Sequence, residues 1–321
     1  QGKGWDFAPY ANWTMDALAA WPAFAKQLQD LSGIDVALDQ SGGYEFFTDP
    51  TEFDAFEAEL AQQATHLGNR ARYEMLNGEE LRSQMKGIGP DVVGASFSPC
   101  DGHVNPLRFL RALRCSVQAM GGHVTLEATV SAIRPQHNGG FALALANGET
   151  LQTEQVVLCA GLGAATLARD LGFITQVRPQ LGELLITEKL GDRLPFLSST
   201  IRQVDEGGVQ IGGTKANAGL DDRETLPIMS KLARHAVTVF PALADVRVVR
   251  AWGALRVMSP DGYPVYAKSS LHPGAFLVTC HSGVTLAPLH ASALADWIMN
   301  TSPTPDLEAF DEHRFPFSHA A

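Results

Sequence analysis

The sequence predicts a mixed α/β chain, α+β in its layout, in which a parallel-sheet domain and an antiparallel-sheet domain are interleaved. Three observations carry this. Val156-Val157-Leu158-Cys159 is a continuous apolar run that ends in Ala160-Gly161-Leu162-Gly163 before a helical stretch, the pattern of a strand covered on both faces of a parallel sheet. Ala275 to Cys280 is a second such run and ends in His281-Ser282-Gly283 before another helical stretch. Over 184–187, 199–203 and 209–212 the apolar residues alternate instead, which reads as an antiparallel sheet. The two strand styles alternate along the chain, so neither domain is contiguous.

Composition bounds the classes. A chain of 321 residues holds one large or two interleaved domains. Hydrophobic content of 45% with 18% charged residues excludes disorder. A net charge of −11 without a basic cluster argues against a nucleic-acid partner. Cys100, Cys115, Cys159 and Cys280 form no C-x-x-C pair, and two of them end apolar strands. Buried thiols are expected rather than disulfides, hence a reducing, cytoplasmic setting, peripheral to the inner membrane at most. No apolar run reaches the ~18 residues of a membrane helix. The chain starts at Gln1 and not at Met, so a segment before it is expected.

The elements follow in order. Residues 1–4 are a loop. Met15 to Leu31 is a helix with Leu18, Trp21, Phe24, Leu28 and Leu31 on one stripe, closed by Gly33. Val36–Leu38 and Gly43–Thr48 read as strands. Asp49-Pro50 opens a helix, with Asp as cap and Pro at the first position. A short helix over Glu79–Gln84 and a strand over Val92–Ser98 come next. Asn105-Pro106 opens another helix, in which Leu107, Leu110, Leu113, Val117 and Met120 are expected to face inward. Strands are expected at His123–Glu127, Thr129–Arg134, Phe141–Ala146 and Thr150–Thr153, with the turn Asn147-Gly148 between the last two. After the alternating strands comes a helix over Leu226–Phe240. Arg247–Val257 is a strand that carries Trp252 and Arg256, and Ser259-Pro260-Asp261-Gly262 is a turn. The last helix runs from Thr285 to Met299.

Candidate chemistry concentrates near the two apolar strands. A strand that ends in a small-residue turn at a helix start gathers unpaired N–H groups and suits negative charge. Gly161-Leu162-Gly163-Ala164-Ala165-Thr166 partly fits the dinucleotide fingerprint, but the third glycine is absent and no acidic residue closes a βαβ unit at 176–188. Arg256 sits mid-strand among apolar residues and needs a partner: a structural ion pair with Asp261 or Glu183, or a bound carboxylate. Tyr44, Phe46, Trp252, Met258 and Tyr263 are core aromatics and thioethers or pocket lining. No Ser-His-Asp order, H-x-x-x-H pair or carboxylate pair stands out, and no metal is expected.

The run Trp252-x-x-Leu255-Arg256-x-x-Ser259-Pro260-Asp261-Gly262-x-Pro264, followed by a strand and His281-Ser282-Gly283-Val284-Thr285-Leu286-Ala287-Pro288, resembles the C-terminal signature of the FAD-dependent amino-acid and amine oxidoreductases, the group of D-amino-acid oxidase and glycine oxidase. The resemblance implies FAD as cofactor and hydride transfer from a substrate Cα to the flavin, leaving an imine that hydrolyses. It implies that Arg256 binds the substrate carboxylate, with Tyr44 and Trp252 in the same pocket. It implies that His281, Ser282, Gly283, Val284 and Thr285 lie against the flavin's pyrimidine oxygen. Ala160, Gly161 and Gly163 would then sit beside the pyrophosphate, and Val130 would meet the adenine. His103, in Asp101-Gly102-His103-Val104-Asn105-Pro106, is read as packing near the flavin.

The chain departs from that family in one respect: no G-x-G-x-x-G stands in residues 1–100. A first βαβ unit takes ~30 or more residues. The expectation is an incomplete Rossmann-like FAD-binding domain built from 1–33, 103–172 and 262–321, interleaved with a substrate domain built from 34–102 and 173–261. The finer likeness is to catalytic subunits of multi-subunit dehydrogenases that oxidise glycine, opines or D-hydroxyproline, hydrogen cyanide synthase among them. It implies a small amino-acid or amine substrate, electron-accepting partner subunits and a homo- or hetero-oligomer. A hydroxy acid as substrate, or a flavin-free subunit that kept the fold, are the alternatives.

Overall fold

The computed structural model describes residues 3–301 and 305–315, so Gln1 and Gly2 of the expected opening loop lie outside it. In chain order the elements are α1 (Ala8–Ser32), β1 (Gly43–Phe47), α2 (Pro50–Leu67), β2 (Glu74–Asn77), α3 (Gly78–Gln84), β3 (Gly94–Ser98) and α4 (Pro106–Ala119). Then come β4 (Val130–Pro135), β5 (Phe141–Leu145), β6 (Thr150–Thr153), β7 (Val156–Leu158), α5 (Ala164–Leu167), β8 (Arg178–Lys189), β9 (Ile201–Gln203) and β10 (Gly208–Ile211). The rest is α6 (Leu226–Val239), β11 (Val248–Met258), β12 (Val265–Lys268), β13 (Ala275–Thr279), α7 (Gly283–Leu289) and α8 (Ala295–Met299). The chain divides into two compact units: unit 1 is 1–121 with 181–255, and unit 2 is 122–180 with 256–321.

Unit 1 pairs β1–β3, β2–β3, β8–β10 and β9–β10 antiparallel, with one isolated parallel bridge from Tyr44 to Ser198. One sheet has the order β1-β3-β2 and the other β11-β8-β10-β9. Its core gathers Phe46, Leu81, Val92, Ile201, Val209 and Ile211 with Leu232, Ala236 and Val239 of the amphipathic α6. Local chemistry sets the helix starts. The Asp49 carboxylate accepts from Thr51 N–H at 2.8 Å, with Pro50 at the first position of α2. Asn105 accepts from the N–H groups of Leu107 and Arg108 at 3.1 and 3.2 Å, at the start of α4.

Unit 2 pairs β7 and β13 in parallel, with Leu158 opposite Leu277, and adds β12 antiparallel to β13. The meander β4-β5-β6 packs beside them, and Ile133, Phe141, Leu158, Ala164, Leu171 and Leu277 share one core. α7 and α8 form one helix joined by a π turn at His290–Leu294.

Several expectations are corrected. Val36–Leu38 is not a strand: Ala37 takes φ +52°, and the segment makes one isolated bridge, Asp39 to His103. His123–Glu127 is not a strand either, and Glu127 takes φ +57°. The stripe expected to be buried on α4 is exposed: Leu107 is 77% and Met120 65% accessible, whereas Phe109, Ala112 and Ser116 are buried. The reason is tertiary, since Phe109 stacks edge-on against Trp21 and Phe24 of α1, at 5.3 and 6.3 Å between ring centroids. Residues 1–33, 34–102 and 103–121 share one compact unit. The helix expected after Gly161 is broken into single turns at 161–163 and 169–171 around α5. β2 and β12 were not among the expected strands. Cys159 is exposed and the other three cysteines are partly buried; all four are free thiols.

Candidate functional site

In unit 2 the parallel pairing of β7 and β13 fixes where the candidate turns emerge. Leu158 and Leu277 face each other, so Ala160–Gly163 and His281–Thr285 both leave from the carboxyl ends of neighbouring parallel strands. Open α/β sheets bind ligands outside those ends. Gly161 takes φ +56°, and a Cβ there would stand 3.3 Å from Cγ2 of Val257. The turn is therefore bare backbone pressed against the end of β11. Ser282 is buried and caps α7, while Gly283 and Val284 are exposed at its first turn. N–H groups of a first turn have no intrahelical acceptor.

These residues fit the flavin that the motif implies. Gly161 and Gly163 leave bare backbone at the turn where the motif would set the pyrophosphate. Val157 on β7 and Val284 on α7 are 39% and 47% accessible, an uncovered apolar surface at the same end of the sheet. Gly283, Val284 and Thr285 are the residues whose first-turn N–H groups would face a ring oxygen if the motif's reading holds. Val130 opens β4 opposite Leu145, at a bulge, and packs on the core of unit 2.

Arg256 is half-buried on β11, one residue from Val257. Burial holds its guanidinium below its usual value, though arginine stays charged in proteins. The two carboxylates considered as structural partners each accept other donors as well. Asp261 takes a two-pronged bond from Arg314, Nε to Oδ2 at 2.8 Å and Nη2 to Oδ1 at 3.1 Å. Glu183 accepts from the Thr225 N–H at 2.6 Å.

Tyr44 and Trp252 belong to unit 1. The Tyr44 ring lies parallel to Phe46 at 5.6 Å and tilted on Phe97 at 4.7 Å, and burial pushes its hydroxyl pKa up. It also lines a cavity of about 510 Å³ with Gly42, Phe97 and Phe196. Trp252 is half-buried beneath the Arg250 guanidinium, 5.2 Å from its ring centroid. His103 is tied by its backbone to Asp39 in both directions, at 2.8 and 2.9 Å. Its ring faces Arg202 at 3.4 Å, and burial with that guanidinium holds it below the usual histidine value. It lines a polar cavity of about 710 Å³ with Asp39, Asn105, Arg193, Gln203 and Asp205.

Sequence reasoning missed the Arg314–Asp261 pair. The two residues lie 53 positions apart, and only the Ser-Pro-Asp-Gly turn hinted that Asp261 was structural. It also missed Glu312, which accepts the Ile174 N–H at 2.8 Å and whose pKa burial pushes up to about 7.

Comparison with known proteins gives the family and the fold. The chain is 37% identical to one of the subunits of opine oxidase from Rhizobium meliloti over 321 residues, all of this chain and 86% of that one. It is 26% identical to the HcnC subunit of hydrogen cyanide synthase from Pseudomonas protegens, over 97% of this chain and 74% of the relative. The crystal structure of glycine oxidase from Geobacillus kaustophilus superposes with a TM-score of 0.84 at 24% identity, covering 94% of this chain and 82% of that one, which shows the shared fold. The profile of the FAD dependent oxidoreductase family, DAO, matches residues 3–297, and the chain belongs to that family of FAD-dependent enzymes.

Proposed function

We propose that this chain oxidises a C–N bond in a carboxylate-bearing secondary amine of the opine type, and hands the electrons to a partner protein. The observation that carries the reading is the placement of Arg256 one residue from Val257, whose side chain packs on the Gly161 turn. Adjacent side chains on a strand alternate faces, so what the candidate clamp and the candidate cofactor turn share is the carboxyl end of β11 and not one face of it. The 37% identity to a protein named as part of an opine oxidase supports the substrate class, and that relative's being one of several subunits supports a hetero-oligomer.

FAD, when bound, supplies the hydride acceptor. The chain's own residues bind and orient. Arg256 takes the carboxylate with a planar fork, which fixes the direction of the neighbouring Cα. Pre-set geometry of this kind removes several kcal/mol from a barrier. The first-turn N–H groups at Gly283, Val284 and Thr285 would face the bound ring and favour negative charge there. The four free thiols support a reducing compartment, and we place the protein in the cytoplasm on that ground.

The test is anaerobic bleaching of the flavin spectrum by a panel of glycine, D-amino acids, opines and a hydroxy acid. Opines should bleach it fastest. Arg256→Ala should lose roughly 2–5 kcal/mol of transition-state binding, tens- to thousands-fold in kcat/KM, and keep its flavin. Unchanged turnover in that variant would remove Arg256 from the site, and bleaching by the hydroxy acid alone would remove the amine.

A further inference from the structure

We propose that Arg314 is a positioning residue for Arg256, acting through its fork-to-fork ion pair with Asp261; this rests on the reading of Arg256 as the carboxylate clamp. All the parts lie in unit 2. β11 ends at Met258, two residues beyond Arg256. The chain then turns at once through Ser259–Tyr263. The turn is closed inside by the buried Ser259 hydroxyl, which donates to the Tyr263 carbonyl at 2.6 Å, and by the Tyr263 N–H, which donates to Asp261 Oδ1 at 3.0 Å.

Arg314 reaches this turn from the other end of the unit. Besides the two bonds to the Asp261 carboxylate, its Nη2 donates to the Tyr263 carbonyl at 3.3 Å, so one guanidinium grips both arms of the turn. The guanidinium is itself held: Nη1 donates to the Phe310 carbonyl at 2.7 Å, and the Phe315 ring lies 4.3 Å beneath it. The Arg314 side chain is 16% accessible and that of Asp261 31%, so the pair is shielded well beyond an ordinary surface salt bridge. Burial pushes the Asp261 carboxyl up, yet the Arg314 bonds hold it below the usual range, so it is charged whenever the enzyme works.

The geometry brackets Arg256. On one side Val257 rests on the Gly161 turn. On the other the Ser259–Tyr263 turn is pinned to the C-terminal segment. A planar fork that must meet a carboxylate tolerates about 0.5 Å and 10–20° of error. A strand end fixed at two points meets that demand, and one fixed only by its hydrogen-bonded neighbours frays. The second pair of anchors on the segment, Glu312 to Ile174, keeps Arg314 in register.

Arg314→Met, Arg314→Lys and Asp261→Asn test this in the flavin-loaded enzyme. Each should raise KM for a carboxylate-bearing substrate about tenfold to a hundredfold. The dissociation constant of an unreactive carboxylate, read from the flavin spectrum, should rise by the same factor. Flavin content should stay constant and kcat should change by less than about threefold. Arg314→Lys keeps the charge and loses the fork, so it should fall between wild type and Arg314→Met. The double variant Arg314→Met/Asp261→Asn should be no worse than the poorer single one. Unchanged carboxylate affinity in folded variants, or kcat, KM and flavin content falling together, would overturn the proposal and leave a structural staple. If Arg314→Met does not fold, Arg314→Lys and Asp261→Asn decide the matter alone. Loss of affinity in Arg256→Ala with none in the Arg314 and Asp261 variants would sink this inference and spare the clamp; no loss in Arg256→Ala would sink the clamp first.

Discussion

The two units solve the same problem with different material. Unit 1 buries a layered apolar core: Ile201, Val209 and Leu81 are wholly inaccessible between antiparallel sheets and α6. Unit 2 has the smaller apolar core, leaves Val157 and Val284 accessible, and ties its C-terminal segment down with ionisable groups. Two of these are far from their usual titration: His290, whose Nε2 shares a 2.7 Å hydrogen bond with the Tyr266 hydroxyl and which burial holds down to about 4, and Glu312, pushed up to about 7. Unit 1 is therefore the unit that a cavity should damage most, and unit 2 the one that pH should move.

The largest expected effect is in unit 1. Ile201→Ala removes a fully inaccessible core side chain on β9 and should cost about 2–5 kcal/mol, read as a shift of the urea midpoint. A cost below ~1 kcal/mol would mean that this layer relaxes, and the contrast between the units would weaken.

Next is pH in unit 2. Glu312 has its folded pKa raised above the unfolded one, so the stability it contributes is present at low pH and is lost as pH rises through about 7. His290 is depressed, so its contribution is present above the ordinary histidine value and is lost as pH falls towards about 4. Between about pH 5 and 6.5 the two slopes oppose each other. Glu312→Gln keeps an acceptor for the Ile174 N–H and removes the titration. It should stabilise the protein at pH 8 by on the order of 1–3 kcal/mol and leave a curve that falls only on the acid side. Thermal midpoints of both proteins from pH 4.5 to 8 check this, and parallel curves would refute it.

What the sequence made legible follows from range. Asp49-Pro50 and Asn105-Pro106 announced their helices because a cap and a fixed φ are decided within three residues. The turns at Gly161 and His281 were legible for the same reason, as was Arg256 mid-strand. The α4 stripe was misread because α1 chooses which face is buried, and Trp21 and Phe24 lie some eighty residues away in sequence. Ala37 defeated a strand reading by taking a backbone conformation that nothing in Val-Ala-Leu announces. The pairing of Arg314 with Asp261 has no local signal at all, so Arg256 could be singled out in the sequence and this pairing could not.

A smaller effect probes the open end of unit 2. Gly161→Ala places a Cβ at φ +56° and 3.3 Å from Val257, which should cost about 1–2 kcal/mol. The same step should lower flavin occupancy of the purified protein. Wild-type occupancy with the stability loss alone would separate the turn from the cofactor and make it a packing feature.

The smallest effect returns to unit 1 and asks whether polar chemistry there is only capping. Asp49 is an exposed cap, and Asp49→Asn keeps the acceptor for Thr51 N–H, so it should change stability by less than about 0.5 kcal/mol. Asn105 does two things. Its carbonyl caps α4, and its amide donates to Asp205 at 2.8 Å and to Glu206 at 3.0 Å, stapling the β9–β10 hairpin to the helix. Asn105→Asp keeps the cap and turns the donor into a third carboxylate facing two others. It should be at least as damaging as Asn105→Ala, about 1–2 kcal/mol, and the loss should shrink as pH falls and the carboxylates protonate. If Asn105→Asp proved neutral, as expected for Asp49→Asn, the hairpin staple would carry no energy. Unit 1 would then rest on its apolar layers alone.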